Sequence, residues 1–329
     1  MLKNKDIKKL ENWYEKYHRD LPFRLSKDPY TIWVSEIMLQ QTQVDTVVPY
    51  FNAFIEKYPN IHTLAQISEE DLLRQVQGLG YYRRFKLMLK AAKIMESKYQ
   101  GVFPKTYQEV KSLPGIGDYT AGAIMSIAYN QPYSAIDGNV IRVLSRVYKI
   151  QVDMRLEKNK KIIKSINQGL IEQATPYIYT QALMELGALI CKPTNPICHL
   201  CPLNDACLAY HQHIQEQLPK LSKKPKKKDL QLNTFIITHN NSIYLRKRTQ
   251  QLLEGMYEFP QYEGQPPFTY QLIEELGHIH HHFTHLVWTM NVYKVTLTSK
   301  PPKDFIEVPV HSLSEYPMAT AHKKIANLI

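Results

Sequence analysis

The sequence predicts a multidomain protein: an all-α region to about residue 215, a basic linker, and a small α+β domain. Three observations lead to this prediction. Up to residue 190 no segment has a convincing strand pattern, and apolar residues recur at helical spacing. All four cysteines fall between residues 191 and 207. Beyond the lysine-rich run at 220–228, β-branched and aromatic residues become frequent, as in strands.

The bulk composition limits the class of protein. The chain has 329 residues, of which 44% are hydrophobic, which is enough for at least two domain cores. Lys and Arg outnumber Asp and Glu by 41 to 30, and this formal charge of +11 suits a polyanionic partner. The lysine-rich start has no apolar segment behind it, and no apolar run reaches the roughly 18 residues of a membrane span. We therefore expect a cytoplasmic protein that does not enter the membrane.

Helix start signals order the first region. Asp28-Pro29 predicts a helix over about 29–41 with Asp28 as its N-cap. In that helix Glu36 lies on the face that Ile32 and Trp33 mark as apolar, so it is either half of a buried ion pair or an acid with a raised pKa. A further helix is predicted to begin at Ser68, and another to run from the turn 78–84 to about residue 101. The remaining predicted helices cover about 3–19, 107–112, 118–128, 139–148, 155–173 and 176–190.

A glycine-containing turn joins two of these helices. Gly115 and Gly117 allow a tight turn whose N–H groups, with the following helix N-terminus, suit a phosphate. Asp137 then heads the next predicted helix, in the run Asp137-Gly-Asn139. Taken alone, this pattern fits equally well a plain interhelical loop with Asp137 as an N-cap.

The cysteines are spaced Cys191-x6-Cys198-x2-Cys201-x5-Cys207. Such clustering in a reducing compartment favours a metal over disulfides, and four thiolates can ligate either Zn²⁺ or a [4Fe–4S] cluster. A zinc ribbon more often has two close cysteine pairs, and here there is one.

With these cysteines, the Leu113–Gly122 hairpin resembles that of the endonuclease III family of helix-hairpin-helix DNA glycosylases, and the resemblance extends over residues 1 to about 215. It implies a six-helix barrel over about 28–136, an iron–sulfur subdomain over about 1–27 and 137–215, and a catalytic role for Asp137. It also implies a structural [4Fe–4S] cluster on the four cysteines. Enzymes of this family flip the target nucleotide out of the duplex.

Two local features indicate the branch of the family. Tyr119 stands where bifunctional glycosylase/lyases carry a lysine nucleophile, so no Schiff base is expected there. Trp33–Thr42 is similar to the helix of adenine DNA glycosylases (the MutY type) that carries their essential glutamate. The resemblance implies that Glu36 protonates adenine N7, that Asp137 stabilises the oxocarbenium-like sugar, and that Tyr119 lines the pocket.

The resemblance also suggests DNA contacts. Gln181 is expected to pair with the adenine edge, and Gln41 and Tyr81 to wedge into the duplex or contact the partner base; for Tyr81, core packing is the alternative. Phe23 replaces a tryptophan of many relatives but keeps an aromatic ring. The full set of expected DNA-binding residues in this region is Arg24, Gln41, Tyr81, Gly115, Gly117, Asn139 and Gln181.

After a basic linker at 216–230, residues 231–329 resemble the MutT-like (Nudix-like) domain attached to adenine DNA glycosylases. Phe283, Thr284 and His285 match its 8-oxoguanine-recognition loop, with Thr where Ser is common. We predict a helix at about 268–276, which lacks the acidic run of a pyrophosphohydrolase. We assign the five histidines of 278–285 to a loop in contact with phosphate; a metal site is the alternative, but their spacing is unconvincing for ligands. The linker lysines are expected to be mainly a solvated spacer, with contact to phosphate as a further role.

Together these features predict a monomeric, monofunctional adenine DNA glycosylase of base excision repair. Its expected substrate is double-stranded DNA with adenine opposite 8-oxoguanine or guanine. Two alternatives remain at this point: a bifunctional pyrimidine-lesion glycosylase/lyase, and a catalytically silent DNA-damage-binding protein. Tyr119 argues against the first, and the presence of both Glu36 and Asp137 argues against the second.

Overall fold

A computed structural model describes residues 2–223 and 225–329; Met1 and Lys224, one of the linker lysines, lie outside the described residues. The chain divides into two compact units. One contains the residues up to Ala65 together with Lys90–Lys223, and the other contains Gln66–Leu89 together with the C-terminal residues up to Ile329. No helix of the described part is long and apolar enough to cross a membrane.

The region before the cysteines is helical, as predicted. Its helices, in chain order, are α1 (Asn4–Tyr17), α2 (Pro29–Leu39), α3 (Val44–Lys57), α4 (Ile61–Ala65), α5 (Glu69–Gln75), α6 (Arg83–Tyr99), α7 (Tyr107–Ser112), α8 (Asp118–Ile127), α9 (Gly138–Val147), α10 (Glu157–Ile171) and α11 (Pro176–Leu189). A short helix, α12 (Leu208–His211), follows the four cysteines.

Side-chain caps explain where several of these helices begin. The Asp28 carboxylate accepts a hydrogen bond from the Thr31 N–H at 2.8 Å, and the Ser68 hydroxyl accepts one from the Asp71 N–H at 3.0 Å. Each satisfies an N–H group that has no partner within the first turn of its helix. Both helix starts predicted from the sequence are thereby confirmed.

The core of the first unit is built around α11. This helix packs against α1, α8 and α9, and ten of its residues from Pro176 to Gly187 are buried. Helix α2 packs against α8, and both are buried over most of their length, since most of their side chains are apolar. These contacts bring α2, α8 and α9, the helices that carry or follow Glu36, Tyr119 and Asp137, into one packed group.

The second unit contains a seven-stranded sheet with the order β3-β2-β1-β6-β5, in which β4 pairs with β1 and β7 with β2. Strands β1 and β6 are parallel and the other pairs are antiparallel. Phe259, Trp288 and Met290 belong to its buried core. The strands are β1 (Lys228–His239), β2 (Ser242–Lys247), β3 (Tyr257–Glu258), β4 (Gln261–Tyr262), β5 (Tyr270–His282), β6 (Leu286–Leu297) and β7 (Phe305–Pro309), and a helix α13 (Thr320–Ala326) follows them.

One predicted element is wrong. The segment 268–276, expected as a helix, lies largely within strand β5, which pairs with β6 from Tyr270↔Leu297 to His282↔Val287. The helix-favouring residues Leu, Glu and Gln are overridden here by this long antiparallel ladder. Four of the five histidines, expected in a loop, therefore lie in β5, and only His285 lies beyond it. The helix of this domain is α13 instead.

The segment 66–89, which the family resemblance places within a six-helix barrel, belongs to the second unit. Glu70 accepts from Lys247 Nζ at 2.9 Å and from the Tyr257 hydroxyl at 3.2 Å. Lys86 Nζ lies 3.1 Å from Glu254 Oε2. These polar contacts, which composition alone could not reveal, give this division of the chain a physical basis.

A buried charged cluster lies inside the second unit. Glu258 is fully buried, and its carboxylate accepts from Arg246 at 2.7 Å and also from Arg248. His322 is buried beside it, with Nε2 3.6 Å from Glu258 Oε2, and its Nδ1 accepts a hydrogen bond from the Phe259 N–H at 3.3 Å. Burial, followed by the charge of Arg248, lowers the pKa of His322 to about 3, so this imidazole is neutral at physiological pH.

Candidate active site

Glu36 is the buried carboxyl group at the centre of the candidate active site. It lies in α2 among apolar side chains, with only 5% of its surface exposed. The Tyr119 hydroxyl, from the first turn of α8, donates a hydrogen bond to Glu36 Oε2 at 2.6 Å. The structure thus brings together two residues that are 83 positions apart in the sequence and that were both predicted at the site.

The surroundings of Glu36 favour its protonated form. Burial raises the pKa of Glu36 above its ordinary value, and the negative charge of Asp137 raises it further, while the Tyr119 hydroxyl and the Arg24 guanidinium oppose this rise. Burial and the Glu36 charge hold the pKa of Tyr119 well above its usual value, so its phenol stays neutral. The site therefore contains a neutral phenol beside a carboxyl group that keeps its proton to higher pH than a carboxyl in water.

Asp137 is the N-cap of α9, the plain role that the sequence left open. Its carboxylate accepts from the Val140 N–H and from Asn139 Nδ2, both at 2.7 Å. Burial raises the pKa of Asp137, and these hydrogen bonds together with the Arg142 charge oppose the rise. The side chain is only partly buried, and its charge acts on Glu36 and Tyr119. Capping and a catalytic role are therefore compatible in one residue.

Arg142, one turn further along α9, was not identified from the sequence. Its guanidinium donates to Asn139 Oδ1 at 2.8 Å, to the Gly187 carbonyl at 2.8 Å and to the Cys191 carbonyl at 2.7 Å. A Cβ on Gly187 would lie 2.4 Å from the Asn139 Cβ, so only glycine allows α11 to approach α9 this closely. Arg142 thereby connects the first cysteine to the side chain that holds Asp137.

Arg24 and Gln181 contact each other. Arg24 Nη1 donates to Gln181 Oε1 at 2.8 Å, and Gln181 Nε2 donates to the Tyr177 carbonyl at 3.0 Å. Gln181 is fully buried, and both ends of its amide have partners within the protein. Its pairing with adenine stays a prediction. Phe23, next to Arg24, is buried and packs edge-on against Phe51 with ring centroids 5.5 Å apart.

The predicted hairpin lies between α7 and α8. Gly115 has φ +80°, a left-handed conformation that favours glycine, and Gly117 is the N-cap of α8. Both are exposed, and a Cβ on Gly117 would meet no atom within 4 Å. The start of α8 is therefore open to a phosphate, as the sequence pattern suggests.

Gln41 and Tyr81, the two candidate wedge residues, share an uncommon backbone conformation. Their φ values are +56° and +47°, in the left-handed region that residues other than glycine rarely adopt, and both side chains are exposed. Because Tyr81 is 46% exposed, it is not a core residue, which removes the alternative left open by the sequence. Exposed residues with a strained backbone conformation of this kind are frequent at functional sites.

The four cysteines form no disulfide and together line one cavity. Apolar residues such as Val143, Leu186 and Leu203 complete its wall. Over the described residues, no group of three or more His, Cys, Asp or Glu side chains has the arrangement that coordinates a single metal ion. A donor set of four thiols around a mostly apolar cavity fits an iron–sulfur cluster, which is larger than one ion. The cysteines involved are Cys191, Cys198, Cys201 and Cys207.

Arg146 fixes the start of the cysteine segment. It is buried in α9, one turn beyond Arg142, and donates to the Lys192 carbonyl at 2.7 Å, the Pro193 carbonyl at 3.0 Å and Cys191 Sγ at 3.3 Å. Neither arginine was singled out from the sequence; they are four residues apart and therefore lie on one face of α9.

The remaining predicted residues, Phe283, Thr284 and His285, form the 283–285 loop between β5 and β6 in the second unit. The Phe283 ring packs against Trp288, with centroids 4.8 Å apart, and the Phe283 N–H donates to the Leu286 carbonyl at 2.8 Å. Thr284 and His285 are exposed, and the Thr284 hydroxyl contacts the Tyr81 hydroxyl. Phe283 is thus the anchor of this loop, and Thr284 and His285 are its exposed polar residues.

Comparisons with known proteins agree with this organisation. Residues 34–171 match the model of the HhH-GPD superfamily base excision DNA repair protein, and residues 233–328 match that of a NUDIX domain. A thermostable thymine-DNA glycosylase of known structure superposes with a TM-score of 0.57 at 25% identity, covering 63% of this chain and 95% of that chain. The predicted fold class, a helix-hairpin-helix core with a Nudix-like domain, is confirmed.

Two curated relatives extend the likeness over most of the chain. The adenine DNA glycosylase of Buchnera aphidicola subsp. Baizongia pistaciae (strain Bp) is 41% identical over 261 residues, covering 76% of this chain and 72% of its own length. The adenine DNA glycosylase of Buchnera aphidicola subsp. Acyrthosiphon pisum (strain APS) is 39% identical over 304 residues, covering 87% of this chain and 85% of its own length. With the buried Glu36, the hairpin and the clustered cysteines in place, this chain belongs to the adenine DNA glycosylase family.

Proposed function

We propose that this chain is a monofunctional adenine DNA glycosylase of base excision repair, acting as a cytoplasmic monomer on double-stranded DNA. Its reaction is hydrolysis of the N-glycosidic bond of adenine opposite 8-oxoguanine or guanine. The observation that carries this proposal is the Tyr119–Glu36 hydrogen bond of 2.6 Å in a buried site under the influence of the Asp137 charge. Such a site can hold one carboxyl group protonated and another ionised.

Glu36 is the acid in this proposal. Adenine is a poor leaving group until N7 is protonated, and the flipped base has to receive that proton in a place with little water. Protonated Glu36 gives its proton to N7; the bond between C1′ and N9 then breaks, and its electron pair leaves with adenine. The raised pKa of Glu36 supports this role, because an acid must keep its proton at the working pH.

Asp137 acts on the sugar. Departure of adenine leaves an oxocarbenium-like C1′, whose positive charge the ionised carboxylate of Asp137 stabilises. The hydrogen bonds from Val140 and Asn139 support this role because they favour the ionised form of Asp137. Water then adds to C1′ and gives its proton to the Glu36 carboxylate, which leaves an abasic site and free adenine and restores the acid.

The DNA strand stays intact in this reaction. Tyr119 occupies the position where strand-cleaving relatives have a lysine amine, and its neutral phenol cannot form a Schiff base with the sugar. Its role is to line the pocket and to donate a hydrogen bond to Glu36. This makes the bifunctional glycosylase/lyase alternative the weaker one.

The 283–285 loop contacts the base opposite adenine in this proposal. Its exposed Thr284 hydroxyl can donate and accept hydrogen bonds, which suits the altered edge of 8-oxoguanine. Tyr81 supports this assignment, because its exposed ring contacts Thr284 through the hydroxyl and is available to stack on a base.

We also propose a [4Fe–4S] cluster held by the four cysteines, with a structural role for their segment. The cavity they share and the contact of Arg146 with Cys191 Sγ support this assignment. Measuring the iron, acid-labile sulfide and zinc contents of the purified protein distinguishes the cluster from a zinc site. Zinc without sulfide would contradict the assignment.

The function is tested with four duplexes side by side, containing 8-oxoguanine:A, G:A, G:T and thymine glycol, under single-turnover conditions. We expect abasic sites only in the two adenine mispairs and no covalent adduct when borohydride is added. A trapped adduct on thymine glycol would identify a lyase. Binding to mispairs without any excision would identify a silent damage-binding protein.

A further inference from the structure

The end of the basic linker contacts the 283–285 loop. Lys227 Nζ donates a hydrogen bond to the Phe283 carbonyl at 2.6 Å. The next residue, Lys228, begins β1, and its N–H donates to the His285 carbonyl at 3.1 Å. Two consecutive linker residues therefore hold the carbonyls on either side of Thr284. This contact was not expected from the sequence, which predicts mainly a solvated spacer for the lysine run.

The rest of the loop is already fixed at the same end. Strand β1 runs parallel to β6, with Lys228 opposite Leu286, and the Phe283 N–H donates to the Leu286 carbonyl at 2.8 Å. The Phe283 ring is held against Trp288. The peptide group between Phe283 and Thr284 is thus the part of the loop whose orientation depends on the Lys227 side chain.

That orientation decides where Thr284 presents its backbone N–H. A peptide group is planar and trans, so its carbonyl and its N–H point in opposite directions. When Lys227 holds the Phe283 carbonyl, the Thr284 N–H must point away from Lys227. The exposed Thr284 hydroxyl turns about its own side-chain bond and contacts the Tyr81 hydroxyl.

Guanine and 8-oxoguanine, the two purines that have to be distinguished, differ in the hydrogen-bond donors and acceptors at N7 and C8. Guanine has an acceptor at N7 and only C–H at C8, whereas 8-oxoguanine has N–H at N7 and a carbonyl at C8. A donor held in one direction can favour the carbonyl at C8, while a freely rotating peptide group cannot. We propose that Lys227 is a positioning residue that sets the preference for 8-oxoguanine over guanine opposite adenine; this rests on the function proposed above.

The chain supplies a matched control for its charge. Lys226, in the same run, is also exposed, and replacing it removes the same positive charge from the linker. A lysine that merely attracts phosphate affects binding to every duplex and changes its salt dependence. A lysine that orients the loop affects the distinction between the two opposing bases instead.

The test compares single-turnover excision from 8-oxoguanine:A and G:A by the full chain and by K227M, K227R and K226M. We expect K227M to lower the ratio of the two rates by about tenfold, the usual effect of losing one charge-assisted hydrogen bond. We expect K227R, which keeps a charged donor, to retain the ratio, and K226M to leave it unchanged. In the free protein, amide hydrogen exchange at residues 283–286 is expected to be faster in K227M than in K226M.

Two results would overturn the inference. An unchanged rate ratio in K227M, or an equal change in K226M, removes the positioning role and leaves the proposed function intact. Absence of adenine excision by the unmodified chain from both duplexes would instead refute the proposed function, and this inference with it.

Discussion

Tyr119 Oη donates to Glu36 Oε2 at 2.6 Å, and this hydrogen bond opposes the effect of burial on Glu36. Burial raises the pKa of Glu36, the Asp137 charge adds to the rise, and Tyr119 and Arg24 counteract it. Tyr119 therefore keeps the acid from holding its proton too strongly. We infer that the role of Tyr119 is to adjust the pKa of Glu36.

The first prediction concerns this tuning. In Tyr119→Phe the opposing hydrogen bond is lost, so the pKa of Glu36 rises further. Activity requires protonated Glu36 and is lost as pH rises through its pKa. The alkaline limb of the pH–rate profile should therefore move to higher pH. At neutral pH the excision rate should fall by less than roughly 10²-fold, because the general acid itself is still present. A limb that stays in place or moves to lower pH would contradict the tuning role.

The second prediction concerns the connection of Asp137 to the cysteine segment. In Arg142→Met, Asn139 and the Cys191 carbonyl lose a shared donor, and Asp137 loses a charge that lowers its pKa. Activity requires ionised Asp137 and is lost as pH falls through its pKa, so the acidic limb should move to higher pH. We expect the maximal excision rate to fall roughly 10–100-fold, the size of losing one charge-assisted hydrogen bond.

Arg142→Lys is the control for this experiment, because it retains the charge without the geometry of the guanidinium. It should return the acidic limb towards that of the unmodified chain while the maximal rate stays lowered. If the acidic limb in Arg142→Met were unchanged, the arginine would have no electrostatic effect on Asp137.

The third prediction concerns the stability of the Nudix-like unit. The pKa of buried His322 is lowered to about 3, whereas in the unfolded chain an imidazole titrates near 6.5. The unfolded state therefore binds more protons between these values, and stability should decline as pH falls from about 6.5 towards 3. In His322→Asn the side-chain carbonyl can still accept a hydrogen bond from the Phe259 N–H. This variant should be less stable than the unmodified chain at pH 7, but its stability should fall less on acidification.

Amide hydrogen exchange of β1 and β6 peptides at pH 7 and pH 5, expressed as protection factors, measures this difference. The fall in protection between the two pH values should be smaller in His322→Asn than in the unmodified chain. An equal fall in both proteins would show that His322 does not contribute to acid sensitivity.

Much of the helical region could be predicted from the sequence because its signals are local. Asp28-Pro29 and Ser68-x-x-Asp71 specify helix starts by capping chemistry that involves neighbouring residues only. Glu36 and Tyr119 were predicted from a family resemblance and from the apolar face of one helix. Their hydrogen bond joins α2 and α8, and no local pattern specifies it.

The errors and omissions concern interactions between distant segments. Tyr270–His282 has residues that favour a helix, and its strand conformation depends on a ladder with β6. The contacts of Arg142 and Arg146 with the cysteine segment join residues about 45–50 positions apart, so the two arginines looked like ordinary helix residues. Lys227 looked like a solvated linker residue because its partner is a backbone carbonyl 56 positions away.

The most direct test of the account is single-turnover excision of adenine by Glu36→Gln. Glutamine fits the buried site and can still accept a hydrogen bond from Tyr119, but it has no proton to give to adenine N7. We predict that excision from an 8-oxoguanine:A duplex falls by roughly 10²–10⁴-fold, while binding to the mispair persists. Excision by Glu36→Gln at the rate of the unmodified chain would contradict the assignment of Glu36 as the acid.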